Sequence, residues 1–139
     1  MALPKVHELQ AKHNYIFLKF IERKKDFIDW HVTVAYYTAI HIVDSKISER
    51  YLELREKQLK TFSDKGIDMH AIRDIAVRRY LTDIYTSFKL LREQSKTARY
   101  LENTSGTEIA SKALKEQDVK ELLTIHLENI IKRFGLSFS

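Results

Sequence analysis

The chain has 139 residues, enough for one domain with its own hydrophobic core, and we treat residues 1–139 as a single domain. Three glycines and one proline leave few chain breaks, which favours long helices over a fold of many strands. The absence of cysteine excludes disulfides and thiolate zinc sites. The net charge of +5 attracts phosphate polyanions, and no apolar run approaches the roughly 20 residues that span a bilayer. We therefore expect a cytoplasmic protein without membrane association.

The first predicted element is an amphipathic helix of about 20 residues that begins at Pro4. Proline suits the first helical turn because the N–H that it lacks would have no partner there. Apolar residues then recur at spacings of three and four, which is the helical period. They are Val6, Leu9, Ile16, Phe17, Phe20 and Ile21. A basic run at residues 23–25 follows, and cations are favourable at the C-terminus of a helix.

The next helix contains the segment DWHVTVAYYTAIHIVDSKI, residues 29–47, with Asp26 or Asp29 as its cap. On a helical projection, one face carries Trp30, Val34, Tyr37, His41 and Asp44, and the opposite face carries Val32, Tyr36, Ala39, Ile40, Val43 and Ile47. A helix that is apolar on two faces must be covered on both. We therefore expect it in the middle of a bundle, with a charged extension that ends before Gly66.

The second half of the chain predicts further helices. Asp68 can cap a third helix, which breaks near residues 79–82, and a fourth helix then runs to about Tyr100. A loop at residues 102–108 precedes a short turn and a last amphipathic helix at residues 119–131. The predicted fold is all-α: an up-and-down bundle of four main helices plus a shorter one.

Two histidines are candidates for chemistry. Asp44 lies three residues after His41 on the same helix face, so the carboxylate can orient the imidazole. Such a pair serves a catalytic base, or it satisfies a buried imidazole, and the second interpretation is the one we favour. His70 and Arg73 also share a face and could hold one phosphate. Alternatively, they form a solvated helix start in which Arg73 pairs with Asp68 or Asp74.

A basic stripe is predicted on the fourth helix. Its members fall within about 80° of one another: Tyr85, Lys89, Arg92, Lys96 and Arg99. Like charges at this spacing repel, so a counter-charge is expected nearby. It could be nucleic-acid phosphate, with Tyr85 and Tyr100 stacking on bases, or an acidic partner, or the carboxylates of a neighbouring helix. No metal or cofactor is predicted, because cysteine and histidine pairs at i, i+4 are both absent.

Several of these segments occur in a recognisable order: Trp30, AYYTAIH at 35–41, HAIR at 70–73, Tyr85 and SKTARY at 95–100. This order resembles the HEPN (higher eukaryotes and prokaryotes nucleotide-binding) superfamily, in particular its small stand-alone prokaryotic members, over roughly residues 27–131. The resemblance implies a bundle of four or five helices that commonly dimerises. Many members are metal-independent ribonucleases of toxin–antitoxin, CRISPR and antiviral systems, and others bind nucleotides or RNA or have lost catalysis.

Active members of that superfamily carry an arginine followed, after four to six residues, by a histidine. Here Arg23 precedes His31 by eight positions, one too many, and every other arginine lacks a histidine in range. The resemblance therefore implies a module without the usual ribonuclease motif. We expect it to bind RNA, a nucleotide or a cognate partner protein such as an antitoxin, as a homodimer.

Two alternatives remain open at this level. A divergent metal-independent ribonuclease would use His41, His70, Arg73 and Arg99 to move protons and to stabilise charge on the phosphorane. A helical assembly domain would instead have neither activity nor RNA affinity. If the chain binds nucleic acid or phosphate, the expected contacts are Tyr85, Lys89, Arg92, Lys96, Arg99 and Tyr100.

Overall fold

The computed structural model describes residues 2–50, residue 53 and residues 69–138. All regular structure in these residues is helical, as the sequence predicts. The four longer helices are α1 (Pro4–Ile21), α2 (Ile28–Ile47), α3 (Met69–Tyr80) and α4 (Tyr85–Tyr100). The C-terminal part comprises α5 (Ala110–Ala113), α6 (Glu116–Glu121), a π-helical segment (Leu122–Leu127) and α7 (Glu128–Arg133). Within the described ranges, no helix is long and apolar enough to cross a membrane.

Helix α2 forms the centre of the structure, packed against α1, α4 and the C-terminal helices. Its apolar face is fully covered, as predicted, because neighbours pack on it from several directions. The buried members are Val32, Tyr36, Ala39, Ile40, Val43 and Ile47. Each fully buried aliphatic side chain of this kind contributes about 1.5–3 kcal/mol to folding, so α2 anchors the core.

The opposite face of α2 is covered only in part. Val34 and Asp44 are buried there, whereas Trp30 is 56% exposed and Tyr37 is 40% exposed. The prediction that both faces are enclosed is therefore wrong at Trp30 and Tyr37. The expected caps do not form either, since the N-cap is Phe27 and its side chain makes no capping hydrogen bond.

Helix α1 turns its apolar stripe away from the core. The residues Val6, Leu9, Ile16, Phe17 and Phe20 are between 48% and 72% exposed. The side that packs inward buries His7, Ala11 and Leu18 instead. An amphipathic helix normally directs its apolar stripe at the core. Here α1 packs mainly against α2, so the stripe on its far side has no cover among the described residues.

The remaining predicted boundaries agree with the structure where it describes them. A 3₁₀ turn at Thr82–Ile84 separates α3 from α4, and turns and bends occupy the predicted loop after Tyr100. Gly135, at φ +63°, ends the last helix, where the N–H of Leu136 donates to the carbonyl of Ile131 at 3.2 Å. Of the predicted helical extension beyond α2, the structure describes a 3₁₀ turn at Ser48–Arg50 and helical Glu53, whereas its other residues, Gly66 and the Asp68 cap lie outside the described residues.

Candidate functional site

A buried ion pair lies on the polar side of α2. Arg73 donates from Nε and Nη2 to the two carboxylate oxygens of Asp44, at 2.7 and 2.8 Å. The two side chains are only 14% and 3% exposed. Asp44 therefore pairs with Arg73 and not with the expected His41, and Arg73 pairs with Asp44 and not with Asp74; Asp68 lies outside the described residues. A bidentate guanidinium–carboxylate pair is stronger than a single bond to imidazole, which accounts for the choice.

His41 pairs instead with a histidine of α1. The Nδ1 atoms of His7 and His41 lie 3.1 Å apart, so one of the two nitrogens donates and the other accepts with a bare lone pair. Burial and the neighbouring His7 lower the pKa of His41, against the opposing effect of Asp44. The lowered pKa consequently favours the neutral form of the His41 imidazole. Spacing along the sequence gives no signal for it, because the two residues are 34 positions apart.

Arg99 occupies a cage of tyrosines, which we call the tyrosine cage: Tyr36, Tyr37 and Tyr100. Its guanidinium carbon lies 5.1, 5.5 and 4.7 Å from the three ring centroids, respectively. Nη1 donates to the hydroxyls of Tyr37 and Tyr100, both at 3.2 Å, and Nε and Nη2 donate to Ser95. Among the described residues, no carboxylate pairs with Arg99. The site therefore holds an oriented but uncompensated cation.

Most of the other stripe residues already have counter-charges. Arg92 pairs with Asp74 of α3 at 2.9 Å and with Glu93 at 3.6 Å, and Lys96 pairs with Glu93 at 3.5 Å. Carboxylates of the same chain therefore supply the counter-charge for Arg92 and Lys96. Lys89 is exposed on α4.

The tyrosines of the stripe differ in their exposure. Tyr85 is half-buried, with the guanidinium of Arg78 5.8 Å from its ring centroid. Tyr100 is 64% exposed and contacts Arg99. Only the C-terminal end of the predicted stripe therefore combines an accessible aromatic ring with a cation that no described carboxylate neutralises.

Three of the four predicted catalytic residues gather around the polar side of α2. Burial raises the pKa of Tyr36. The nearby positive charges of Arg99, Arg73 and Arg92 oppose that rise. His41 lies one turn from Tyr37 on the same helix. His70, the fourth, is exposed in the first turn of α3.

An aromatic cleft opens between α1 and α2 beside the tyrosine cage. It has a volume of about 280 Å³ and is lined by Asn14, Phe17, Trp30, Thr33, Val34, Tyr37 and His41. Tyr37 belongs to both features, because its ring lines the cleft and its hydroxyl accepts from Arg99. The sequence places Trp30, Tyr37 and His41 on one helix face, yet the pattern predicts a covered face and so misses the cleft.

A larger cleft of about 660 Å³ lies between the start of α2 and α6. Its rim mixes cations with carboxylates, including Arg23, Lys25 and Glu116. His31 at its edge is engaged, since its Nε2 lies 2.8 Å from the carbonyl of Ile21. Because no aromatic ring other than that of His31 is among the described residues that line this cleft, it offers less to a planar ligand.

No protein-family model, curated protein or solved structure matches the chain. Function is therefore inferred from the residues and their geometry.

Proposed function

We propose that the chain is an HEPN-like helical module that binds single-stranded RNA or a nucleotide, with one base in the aromatic cleft and a phosphate at Arg99. The observation that carries this proposal is the position of Tyr37. It joins an aromatic cleft to an arginine that has no carboxylate partner among the described residues. Sequence-tolerant recognition of single strands combines these two elements, a stacking surface and a cation for the backbone.

The cleft suits a single planar base. Its volume of about 280 Å³ is near the lower limit of roughly 300 Å³ for ligand pockets, which leaves little room for a whole nucleotide. Phe17, Trp30 and Tyr37 supply aromatic surfaces, and stacking on such a ring contributes about 1–3 kcal/mol per base. The Asn14 amide and the His41 imidazole provide polar groups for a base edge.

Arg99 suits a phosphate because its orientation is already fixed. Hydrogen bonds to Ser95, Tyr37 and Tyr100 hold the guanidinium plane, so little side-chain entropy is lost when an anion binds. The guanidinium of Arg73, by contrast, is engaged with both carboxylate oxygens of Asp44. Arg99 is thus the arginine of this cluster whose charge no described carboxylate neutralises, and its remaining Nη2 N–H can donate to an external anion.

The wider assignment rests on the resemblance to HEPN proteins. It supports an up-and-down arrangement of the bundle, a cytoplasmic location and a role in a prokaryotic toxin–antitoxin or defence system. The missing Arg–His motif supports binding rather than cleavage. The geometry also favours binding, since the Nδ1 of His41 faces His7 and Arg73 is engaged with Asp44.

The binding proposal is tested with Trp30, which is the only tryptophan and lines the cleft. Titration with a short single-stranded RNA should quench its fluorescence as a base stacks. Arg99→Gln should weaken binding about 10- to 100-fold, because a charge-assisted hydrogen bond contributes about 1.5–3 kcal/mol. Lys132→Gln, which removes an exposed cation from α7, is the matched control and should change affinity little.

Ionic strength and nucleotide length refine the same experiment. Phosphate contact predicts affinity that falls as salt rises, with a shallower slope in Arg99→Gln. Mononucleotides that quench Trp30 as well as RNA does would identify the ligand as a nucleotide. If RNA and mononucleotides leave the fluorescence unchanged, or if Arg99→Gln binds like the wild type, the proposal fails.

The ribonuclease alternative makes a different prediction. A metal-independent nuclease should cut single-stranded RNA in the presence of EDTA, and His41→Ala should abolish cutting while the circular dichroism spectrum stays unchanged. We expect no cutting by the wild type. Cleavage that His41→Ala removes would replace the binding proposal with a catalytic one.

A second candidate function, assembly as a homodimer, is favoured by the exposed face of α1. The exposed surface of Val6, Leu9, Ile16, Phe17, Phe20, Phe27 and Trp30 adds up to roughly 900 Å². The largest apolar patch of a typical monomer is about 300–600 Å², whereas each partner of a standard interface buries about 800 Å². A second copy of this chain would therefore find enough apolar area here for a stable dimer.

The dimer is tested by light scattering after size-exclusion chromatography. The wild type should elute as a dimer, and the double variant Leu9→Glu, Phe20→Glu should elute as a folded monomer, because charges cannot be buried unpaired at an interface. Lys12→Glu, an exposed change on the same helix, is the control. A wild type that remains monomeric at high concentration would rule out this candidate and leave the aromatic cleft open to RNA, whereas a dimer through this face would cover Phe17 and Trp30, which line that cleft.

A further inference from the structure

Three potential metal ligands converge where α1 meets α2. They are a ring nitrogen of His7, a ring nitrogen of His41 and a carboxylate oxygen of Asp44, all within 4.8 Å of one another. His7 and Asp44 are buried and His41 is half-buried. Two imidazoles and one carboxylate form a donor set that binds first-row divalent cations in proteins. We propose that His7, His41 and Asp44 hold such a cation, and we take Zn²⁺ as its representative because zinc binds imidazole nitrogen and carboxylate oxygen.

The distances are close to those of a metal site. Two Zn–N bonds of about 2.0–2.1 Å at a tetrahedral angle place the nitrogens about 3.3–3.4 Å apart. The two Nδ1 atoms lie 3.1 Å apart, so the histidines need to move by only a few tenths of an ångström. The carboxylate oxygen lies within 4.8 Å of the histidine nitrogens, so it must approach by at most about 1.5 Å, and the Arg73 side chain must move with it to keep its hydrogen bonds.

Arg73 supports the arrangement from behind. It holds both oxygens of Asp44 at 2.7 and 2.8 Å, and metal-binding carboxylates are commonly fixed by a hydrogen-bond donor of this kind. The ion pair of Asp44 and Arg73 is also electrically neutral before metal binds, so the cation does not enter a region of net positive charge. Mg²⁺ and Ca²⁺ are disfavoured, since they require mostly oxygen ligands.

The burial of His7 is not explained by its hydrogen bonds. Its Nε2 is buried and has no hydrogen-bond partner among the described residues, and its only polar contact there is Nδ1 to His41. A buried polar atom without a partner costs about 1–3 kcal/mol, so a histidine is a poor choice for packing alone. Coordination of a cation through Nδ1 accounts for a polar ring at this position, because the bond to the metal offsets that cost.

The site is tested with metal-free protein in a competition titration of Zn²⁺ against a chromophoric chelator. The wild type should bind one Zn²⁺ per chain. His7→Ala and His41→Ala should each weaken this binding by more than about 100-fold, and Asp44→Asn by at least about tenfold. His13→Ala removes an exposed histidine from the same helix and should leave the affinity unchanged.

Circular dichroism in EDTA shows whether each variant is folded before its affinity is compared. Co²⁺ supplies a readout that needs no variant, since the wild type should develop the intense visible absorption of a four- or five-coordinate site with nitrogen ligands. A colourless Co²⁺ complex, or Zn²⁺ affinity that survives in folded His7→Ala, would overturn the proposal. So would equal losses in His13→Ala and His7→Ala.

Discussion

Asp44 and Arg73 join two helices through charges that are almost out of contact with water. Removing one member of a buried pair leaves the other uncompensated, which typically costs about 3–5 kcal/mol. We therefore expect Asp44→Ala to lower the free energy of unfolding by about that amount, measured by urea denaturation in EDTA. The side chains of Asp83 and Arg133 form a pair that is about half exposed, so Asp83→Ala should cost less than about 1 kcal/mol. Equal losses in the two variants would show that burial does not govern the Asp44 pair.

The sequence identifies these residues but not their partners. His41, Asp44 and Arg73 stand out because charged and imidazole groups interrupt apolar helices. Helical spacing, however, reports only contacts within one helix, so it pairs His41 with Asp44. The observed partners are 29 and 34 positions away, and their contacts depend on how helices pack. The metal-ligand set is missed for the same reason.

Helix α1 has one face that belongs to the core and another that does not. Leu18 is 1% exposed and Phe20 is 72% exposed, although they lie two residues apart. Leu18→Ala should therefore lower the free energy of unfolding by about 2–5 kcal/mol, whereas Phe20→Ala should change it by less than about 0.5 kcal/mol. Denaturation at concentrations where the protein is monomeric checks this. A larger loss for Phe20→Ala would mean that the stripe is covered within the monomer.

Periodicity predicts that α1 exists and roughly where it begins and ends. It does not predict which side of the helix is covered, because the inward side carries His7, Ala11 and Leu18 and looks less apolar than the outward side. The start of α2 and the break before α4 follow from local chemistry and are predicted well, whereas α2 ends at Ile47 and a 3₁₀ turn at Ser48–Arg50 follows, where the pattern predicts that the helix continues. The π-helical segment Leu122–Leu127 has no such local signature, so its sequence indicates only an amphipathic helix.

At the scale of the whole molecule, the net charge of +5 does not make the α4 stripe a continuous cationic surface within the described ranges. Carboxylates of the same chain neutralise much of this stripe, and the tyrosine cage holds Arg99. The stripe thus gives less support to broad nucleic-acid binding than the sequence alone indicates. The aromatic cleft with Arg99 beside it predicts binding of one or two nucleotides rather than a long tract.

Alkaline pH should unfold the protein through its buried phenols. Burial raises the pKa of Tyr36 above its ordinary value of 10.0, and burial with the hydrogen bond to Glu128 raises that of Tyr15 as well. Below pH 10 both folded and unfolded chains keep these protons, so stability is unaffected there. Above pH 10 only the unfolded chain releases them readily, and stability falls as pH rises.

We expect Tyr36→Phe to raise the midpoint of alkaline unfolding, followed by circular dichroism and tyrosinate absorbance. In this variant the phenylalanine ring at position 36 remains beside Arg99 but has no hydroxyl proton to release. Tyr100→Phe removes an exposed phenol and should leave the midpoint where it is. The free energy of unfolding at pH 7 also affects this midpoint. The midpoint of each variant is therefore corrected for the free energy of unfolding of that variant at pH 7. A midpoint that Tyr36→Phe does not raise after that correction would show that the Tyr36 phenol ionises within the folded protein.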